Sequence, residues 1–249
     1  MQEYYIGWHQ PNNGNSGCEK FDRCMISVNR IIKRKSPFKV NRWILDSGAF
    51  TRISSGKGHL PVDIYALEIN RWSKNGDLAA AVVQDYMCES FILQITGLTI
   101  KEHQILTIQN YDKLIQKTNV YIMPVLQGYQ NQDYLEHLDM YGDRLKYGSW
   151  VGVGSICKRN SNPGSIQSIL MEIKTLRPDL KLHGFGIKST SLKNPIIWDL
   201  LYSADSQAHG LSEGRSKSKY VRANDPTTAL KYASTIERPN QLSIFQQVS

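Results

Sequence analysis

The chain has 249 residues, of which 41% are hydrophobic and 21% charged, the composition of an ordinary soluble globular protein. No apolar run reaches the roughly 18 residues that a membrane-spanning helix needs, and residues 1–8 lack the basic start and apolar core of a secretory signal. Lys and Arg number 30 against 22 Asp and Glu, a net charge of +8, which favours a polyanionic partner such as nucleic acid. We therefore expect a cytoplasmic protein with no membrane partner.

Short apolar runs alternate with longer amphipathic stretches along the chain. The runs are β-branched or aromatic, as in strands buried on both faces, and cover residues 4–8, 43–45, 79–83, 120–126, 150–153, 182–187 and 200–203. The amphipathic stretches predict helices over residues 19–35, 62–74, 99–117, 133–145, 165–176 and 225–238. The last of these starts with Asp225-Pro226, a cap followed by a first-turn proline.

This alternation predicts an α/β fold in which crossover helices join parallel strands. Seven strand candidates, and a further one near residues 220–222, favour a single TIM-type (β/α) barrel over residues 1–249. An open doubly wound sheet is the alternative. No GxGxxG motif follows the first strand, which counts against a dinucleotide-binding form of that sheet. No cofactor is predicted.

Polar residues cluster where the predicted strands end, the edge at which TIM barrels carry their chemistry. These residues are Asp46, Asp85, Gln127 and Asp205, with Gly152, Gly154 and Gly186 beside them. Taken singly, each has an ordinary interpretation as a turn, cap or packing residue. Taken together, they predict a carboxylate-rich pocket whose glycines let a flat ligand approach the backbone.

Such a pocket suits base exchange on a nucleic acid. One carboxylate can attack an electrophilic carbon while another moves protons. An aspartate and a glutamine offer complementary acceptors and donors to the edge of a planar base, and an aromatic ring can stack on its face. The candidate rings are Phe50, Tyr86 and Tyr129.

Basic residues form two local clusters, the first at Arg30, Lys33, Arg34 and Lys35 and the second at Arg215, Lys217, Lys219 and Arg222. The second cluster closely follows Asp205, and we predict that it contacts phosphates. A solvated basic loop is the alternative interpretation.

Four cysteines are spread along the chain without a CxxC pair, namely Cys18, Cys24, Cys88 and Cys157. Ligands of a structural zinc usually come as closely spaced pairs, so no metal site is predicted. The first two cysteines fall within one predicted helix. We expect all four to be reduced thiols in a reducing compartment.

Six segments resemble, in order, the motifs of tRNA-guanine transglycosylases. Asp46-Ser47-Gly48-Ala49-Phe50 resembles their Asp-Ser-Gly-Gly-Phe, Gln84-Asp85 their base-recognising aspartate, and Val125-Leu126-Gln127-Gly128 their Val-Gln-Gly strand. Gly152-Val153-Gly154-Ser155 is similar to Leu-Ala-Val-Gly-Glu, and Gly184-Phe185-Gly186 to Met-Gly-Val-Gly. Ala204-Asp205-Ser206-Gln207-Ala208 resembles the Phe-Asp-Ser-Ala-Ala segment around the nucleophile of archaeosine-type members.

The resemblance implies a TIM barrel and a double displacement. In it, Asp205 attacks the anomeric carbon, guanine departs, and a 7-deazaguanine takes its place. Asp46 would take the proton of the incoming base, Ser47 would support Asp46 or the base, and Asp85 and Gln127 would hold the Watson–Crick-like edge.

The chain also departs from the tRNA-acting members of that family. Those members carry a zinc site of three cysteines and a histidine after the nucleophile, whereas no cysteine follows Asp205 here. Ser155 replaces the glutamate of the Val-Gly-Glu motif, and His209 stands where an aromatic residue is common. A compact, zinc-free barrel is more similar to the deazapurine DNA-modification (DpdA-like) branch.

The leading hypothesis is a DNA guanine transglycosylase that exchanges guanine for a 7-deazaguanine such as 7-cyano-7-deazaguanine, after the guanine is flipped out of the duplex. The alternatives are exchange in tRNA, hydrolytic removal of the base, and a non-catalytic barrel subunit that binds nucleic acid. The predicted partners are therefore DNA or tRNA, a 7-deazaguanine base and, optionally, a helper ATPase.

Overall fold

The structure, a computed structural model, describes residues 1–11, 17–209, 225–236 and 238. Nine strands lie within these residues: β1 (Glu3–Gly7), β2 (Arg23–Ser27), β3 (Arg42–Asp46), β4 (Asp77–Val82), β5 (Ile122–Met123), β6 (Val125–Leu126), β7 (Trp150–Val153), β8 (Lys181–Gly184) and β9 (Leu201–Ser206). They form one parallel sheet in the order β5-β4-β3-β2-β1-β9-β8-β7-β6.

The two ends of this sheet order are neighbours in the chain. Only Pro124 separates β5 from β6. The strand is interrupted there because proline has no backbone N–H to donate to a ladder. Its carbonyl still accepts a hydrogen bond from the Gly152 N–H at 2.8 Å. The two short strands therefore act as one, and the sheet closes into a barrel. The predicted TIM-type barrel is confirmed.

Helices surround the barrel. They are α1 (Val28–Ile31), α2 (Ala49–Ser54), α3 (Val62–Trp72), α4 (Ser90–Thr96), α5 (Ile100–Leu114), α6 (Asn131–Tyr141), α7 (Pro163–Leu176), α8 (Ser189–Leu192), α9 (Pro195–Leu200) and α10 (Pro226–Ser234). Five predicted helices are confirmed with small changes at their ends, namely α3, α5, α6, α7 and α10. Asp225 caps α10 as expected, because its carboxylate accepts from the N–H groups of Thr227 and Thr228.

The helix predicted over residues 19–35 is wrong. A short 3-10 turn, Cys18–Lys20, is followed by β2, and only α1 is helical. Cys18 and Cys24 therefore do not share a helix, although both are free thiols, as are the other two cysteines. The apolar residues at helical spacing include a continuous run, Cys24 to Ile26, that is buried on both faces. This run is a strand, hydrogen-bonded to strands on either side.

β2 is also the strand that completes the barrel. The extra strand expected near residues 220–222 falls outside the described part of the chain. Two other predicted strands are shorter than expected: the run over 120–126 is divided at Pro124, and the run over 182–187 ends at Gly184.

Aromatic rings fill the barrel interior beneath its carboxyl end. The ring centroids of Tyr5, Trp150 and His183 lie 6.0 to 6.2 Å apart, and Tyr5 and His183 are completely buried. The interior is therefore a packed core and not a pore. No helix in the described ranges is long and apolar enough to cross a membrane.

Candidate active site

A pocket of about 220 Å³ lies at the carboxyl end of the barrel. Residues at the end of eight strands, or directly after them, line it: Gly7, Ser27, Asp46, Val82, Gln127, Gly154, Phe185 and Asp205. This is the edge at which strand ends and the loops after them converge. Seven residues predicted from the sequence lie in its wall, namely Asp46, Phe50, Asp85, Gln127, Gly154, Gly186 and Asp205.

Asp85 and Gln127 are joined by a hydrogen bond in the pocket wall. Gln127 Nε2 donates to Asp85 Oδ2 at 2.5 Å. Burial raises the pKa of Asp85 to about 7, and the negative charges of Asp46 and Glu89 add to that effect, whereas the bond from Gln127 opposes it. The carboxyl group of Asp85 is therefore near the midpoint of its titration at neutral pH.

Gln127 is held from several sides. Its backbone N–H donates to His137 Nδ1 at 2.8 Å, and its backbone carbonyl accepts from Gln104 Nε2 at 2.9 Å. Gly154 leaves the space that the Gln127 amide occupies, because a Cβ there would lie 2.2 Å from Nε2. The sequence predicted Gly154 as room for a ligand, whereas in the structure it also makes room for the Gln127 side chain.

Ser155 connects Gln127 to a carboxylate that the sequence analysis missed. Its Oγ lies 2.7 Å from Gln127 Oε1 and 3.0 Å from Glu89 Oε2, and it accepts the Cys88 N–H at 2.9 Å. Ser155 is also the one described non-glycine residue with a positive φ, 54°, a conformation that is uncommon outside glycine and often occurs at functional sites.

Asp46 lies at the end of β3 and is partly exposed to the pocket. Burial raises its pKa to about 6, opposed by hydrogen bonds from Ser27 and from the Gly48 N–H. Gly48 has φ 70°, and a Cβ there would lie 2.1 Å from Asn29 Nδ2. The Asp-Ser-Gly turn therefore requires a glycine at its third position.

Asp205 lies near the end of β9, beside Tyr5 of β1. The Gly186 N–H donates to Asp205 Oδ1 at 3.0 Å, and His183 Nε2 lies 3.3 Å from the same oxygen. The carboxyl side chain is 12% exposed, and it lines the pocket together with Asp46. The two carboxylates that the sequence paired thus share one cavity.

Other predicted site residues lie outside the pocket wall. Ser47 is 1% exposed, and its hydroxyl has no hydrogen-bond partner among the described residues. At Gly152 a Cβ would lie 2.3 Å from the Phe185 ring, so this glycine serves packing inside the barrel. The cluster of Arg215, Lys217, Lys219 and Arg222 falls outside the described residues.

Several wall residues were missed by sequence reasoning, among them Ser27, Met87, Glu89, Phe185 and Gln207. Ser27 was missed because the pattern of its segment predicts a helix. In the structure it is the last residue of a strand, like Gly7 and Asp46. Glu89 follows β4 by several residues, and no local pattern marks it.

Two exposed aromatic rings, one of which lines the pocket, are paired with cations. Lys158 Nζ lies 5.3 Å from the centroid of the Phe50 ring, and the Arg159 guanidinium lies 5.1 Å from that of Tyr129. Phe50 is 42% and Tyr129 46% exposed. Such pairs offer a stacking face and a positive charge side by side. Tyr86, the third predicted ring, packs instead against His59 at 4.6 Å.

The described residues do not fit the zinc site of tRNA-acting transglycosylases. No group of three or more His, Cys, Asp or Glu in the described ranges could hold a metal ion. All four cysteines precede Asp205 in the sequence, and three of them are buried.

A family model described as DpdA, DeoxyPurine in DNA protein A, matches residues 1–232. The chain belongs to the DpdA family. DpdA proteins are DNA-modification enzymes that resemble tRNA-guanine transglycosylases, so the resemblance seen in the six motifs is confirmed at the level of the family. No curated protein sequence matches the chain significantly.

Proposed function

We propose that this DpdA-family barrel exchanges guanine in DNA for a 7-deazaguanine, such as 7-cyano-7-deazaguanine, through a covalent intermediate on Asp205. The observation that carries the proposal is the shared pocket of Asp205 and Asp46, with the Asp85–Gln127 pair in the same wall. This is a pentosyl transfer that two carboxylates and a base-binding edge can perform without a cofactor.

The first displacement breaks the bond between the sugar and guanine. Asp205 attacks C1′, the C1′–N9 bonding electrons leave with guanine, and Asp46 in its protonated form supplies a proton to the departing base. In the second displacement Asp46 takes the proton of the incoming base, whose N9 attacks C1′ and releases Asp205. A pKa of about 6 for Asp46 suits a group that must both give and take a proton near neutral pH.

Base recognition falls to Asp85 and Gln127. Guanine and 7-deazaguanine share an edge with one carbonyl acceptor and N–H donors beside it. Asp85 can accept from those donors, while the second N–H of the Gln127 amide, the one not given to Asp85, can donate to the carbonyl oxygen. Phe50 lines the same pocket and offers a ring for stacking.

Family membership supports DNA as the polymer. A base inside a duplex is out of reach of a pocket, so the nucleotide must be flipped out at a cost of a few kcal/mol. The Phe50–Lys158 pair, whose ring lines the pocket, and the Tyr129–Arg159 pair, whose ring lies two residues after Gln127, are suited to the flanking bases and phosphates of such an extruded nucleotide.

The test is exchange of labelled guanine into duplex DNA, single-stranded DNA and tRNA, assayed in parallel with native protein and Asp205→Asn. We expect label in DNA with the native protein, and a loss of at least about 1000-fold in the variant, because the nucleophile is gone. Denaturing electrophoresis should show a protein–DNA adduct with native protein and none with Asp205→Asn. Asp139→Asn, on an exposed position of α6, serves as the matched control.

Each other outcome changes a defined part of the proposal. Label in tRNA alone would move the reaction to RNA, and release of guanine without incorporation would indicate a hydrolase. Full activity of Asp205→Asn would contradict its role as nucleophile. Absence of label from every polymer, also with ATP and a cell extract to supply a helper ATPase, would favour a non-catalytic barrel.

A further inference from the structure

A buried chain of hydrogen bonds leads from the barrel interior to Asp205. Trp150 Nε1 donates to Ser203 Oγ at 2.7 Å. Ser203 Oγ lies 2.9 Å from His183 Nδ1, and His183 Nε2 lies 3.3 Å from Asp205 Oδ1. Ser203 and His183 are completely buried. Neither the sequence motifs nor the proposed chemistry uses Trp150, Ser203 or His183.

The donors and acceptors in this chain allow one arrangement of protons that satisfies every group. The indole of Trp150 can only donate, so Ser203 Oγ is its acceptor. The Ser203 hydroxyl then has one proton to give, and His183 Nδ1 is its acceptor among the described residues. His183 Nδ1 therefore carries no proton, and the single proton of a neutral imidazole is on Nε2, directed at Asp205.

The surroundings of His183 hold the ring in this orientation. The rings of Phe185, Trp150 and Tyr5 pack on it edge to face, with centroids 4.7, 6.1 and 6.2 Å away. These rings leave the imidazole no other hydrogen-bond partner than Ser203 and Asp205 within the described chain. A rotation of the ring would break both hydrogen bonds at a completely buried position, where an unpaired polar group is unfavourable.

We propose that His183, held in its Nε2–H form by Trp150 and Ser203, is a positioning residue for the nucleophile and leaves Oδ2 of Asp205 as the attacking oxygen. The inference rests on the proposed role of Asp205. Both N–H donors, from His183 and from Gly186, reach the same oxygen, Oδ1. The other oxygen is thereby left to form the bond to C1′.

The same two donors act in the second displacement. When Oδ2 is bonded to C1′, Oδ1 becomes the carbonyl oxygen of the ester, and negative charge returns to the carboxylate as the sugar leaves. Hydrogen bonds to an oxygen that gains charge stabilise that step. The hydrogen bonds of His183 go to Ser203 and Asp205 and not to the Asp85–Gln127 pair, so its loss should slow turnover and leave binding of the base nearly unchanged.

The first test is the tautomer of His183, read by 15N NMR on protein with labelled histidine at neutral pH. Two other histidines provide internal references. His137 Nδ1 accepts from the Gln127 N–H and so carries no proton, whereas His103 Nδ1 faces the carbonyl of Met87 at 2.7 Å and must carry one. We expect the His183 signals to match the pattern of His137. A match to His103, or a doubly protonated ring, would overturn the proposal.

The second test compares His183→Gln with His183→Met. The two side chains are similar in length, and neither has the ring nitrogen that accepts from Ser203. Only glutamine keeps an N–H that can reach Asp205. We expect His183→Met to lower kcat about 10- to 100-fold, the effect of one lost hydrogen bond to a charged group, with KM for the base unchanged. His183→Gln should recover most of that loss at an equal melting temperature.

The outcomes separate this inference from the proposed function. Equal kcat in both variants would overturn a positioning role for His183 while Asp205→Asn still tests the reaction. An NMR result in favour of the Nε2–H form needs no activity at all, and it would stand even if the exchange reaction were absent. A rise in KM with unchanged kcat would contradict the proposal, because it would place His183 in binding of the base.

Discussion

Burial in the pocket disfavours the ionised form of a carboxyl group, and Asp85 shows this most clearly. It is 8% exposed, and its pKa is raised from 3.8 to about 7 by burial and by its acidic neighbours. The folded protein therefore holds a proton between about pH 4 and pH 7 that the unfolded chain releases. Ionisation of Asp85 thus lowers the free energy of unfolding as the pH rises through that window.

Asp85→Asn should stabilise the protein and weaken its binding of the base. We expect its free energy of unfolding at pH 8 to exceed that of native protein by about 1 to 3 kcal/mol, and its stability to fall less between pH 4 and pH 7. Binding of the base should weaken, because an amide replaces a carboxylate acceptor. Urea unfolding at several pH values, with Asp139→Asn as control, measures the effect. Lower stability at pH 8 would contradict it.

At the scale of elements, α5 holds the loops that carry Asp85 and Gln127, the proposed base-binding residues. The inner face of its first half is polar, with His103, Gln104 and Thr107 all buried. Thr107 Oγ1 accepts the Tyr86 N–H at 3.0 Å, directly after Asp85. Gln104 Nε2 donates to the Gln127 carbonyl at 2.9 Å. One helix therefore sets the position of both members of the Asp85–Gln127 pair.

Thr107→Val removes one of these contacts with almost no change of shape. We expect the free energy of unfolding to fall by about 1 to 2 kcal/mol, because the partly buried Tyr86 N–H is left unpaired. KM for the base should rise several-fold while kcat changes little, since Asp205 and Asp46 are untouched. Thr107→Ser keeps the hydroxyl and should behave like native protein. Equal kinetics in the two variants would show that the loop does not depend on α5.

Elements also show where sequence patterns are ambiguous. The helices α3, α5, α6 and α7 are long enough for their apolar period to be recognised. By contrast, β2 has five residues, and the apolar residues around it fit a helical spacing. It is a strand because it pairs with β1 and β3 on either side. The short helices α2, α4, α8 and α9, of four to seven residues, lie below the length at which a period is visible.

At the scale of the whole molecule, charge and barrel geometry act together. The net charge is +8, and the segment after β7 places Lys158 over the Phe50 ring of the pocket wall and Arg159 over the exposed ring of Tyr129. A positive rim around a concave site raises the local concentration of a polyanion. In the proposed reaction, these two cations are suited to hold DNA while the pocket selects a base.

Lys158→Gln tests whether Lys158 contacts a phosphate of DNA. If Lys158 meets one phosphate, the slope of log Kobs for DNA against log salt concentration should become less steep by about 0.7 to 0.9. Lys113→Gln provides the control, because Lys113 is in the last turn of α5, which runs antiparallel to the strands and so ends away from the pocket. Equal slopes for Lys158→Gln and native protein would place the DNA elsewhere.

The sequence by itself determined the fold class, the family and most of the acidic pocket. Strand ends of a parallel barrel converge at one edge, so Asp46, Asp85, Gln127 and Asp205 could be grouped from their places in the strand pattern alone. Only the tertiary structure decided which other groups reach them. Glu89 and Ser155 are 66 residues apart, and His183 and Asp205 are 22 apart. Such contacts depend on side-chain directions across the closed barrel, and no local period in the chain encodes them.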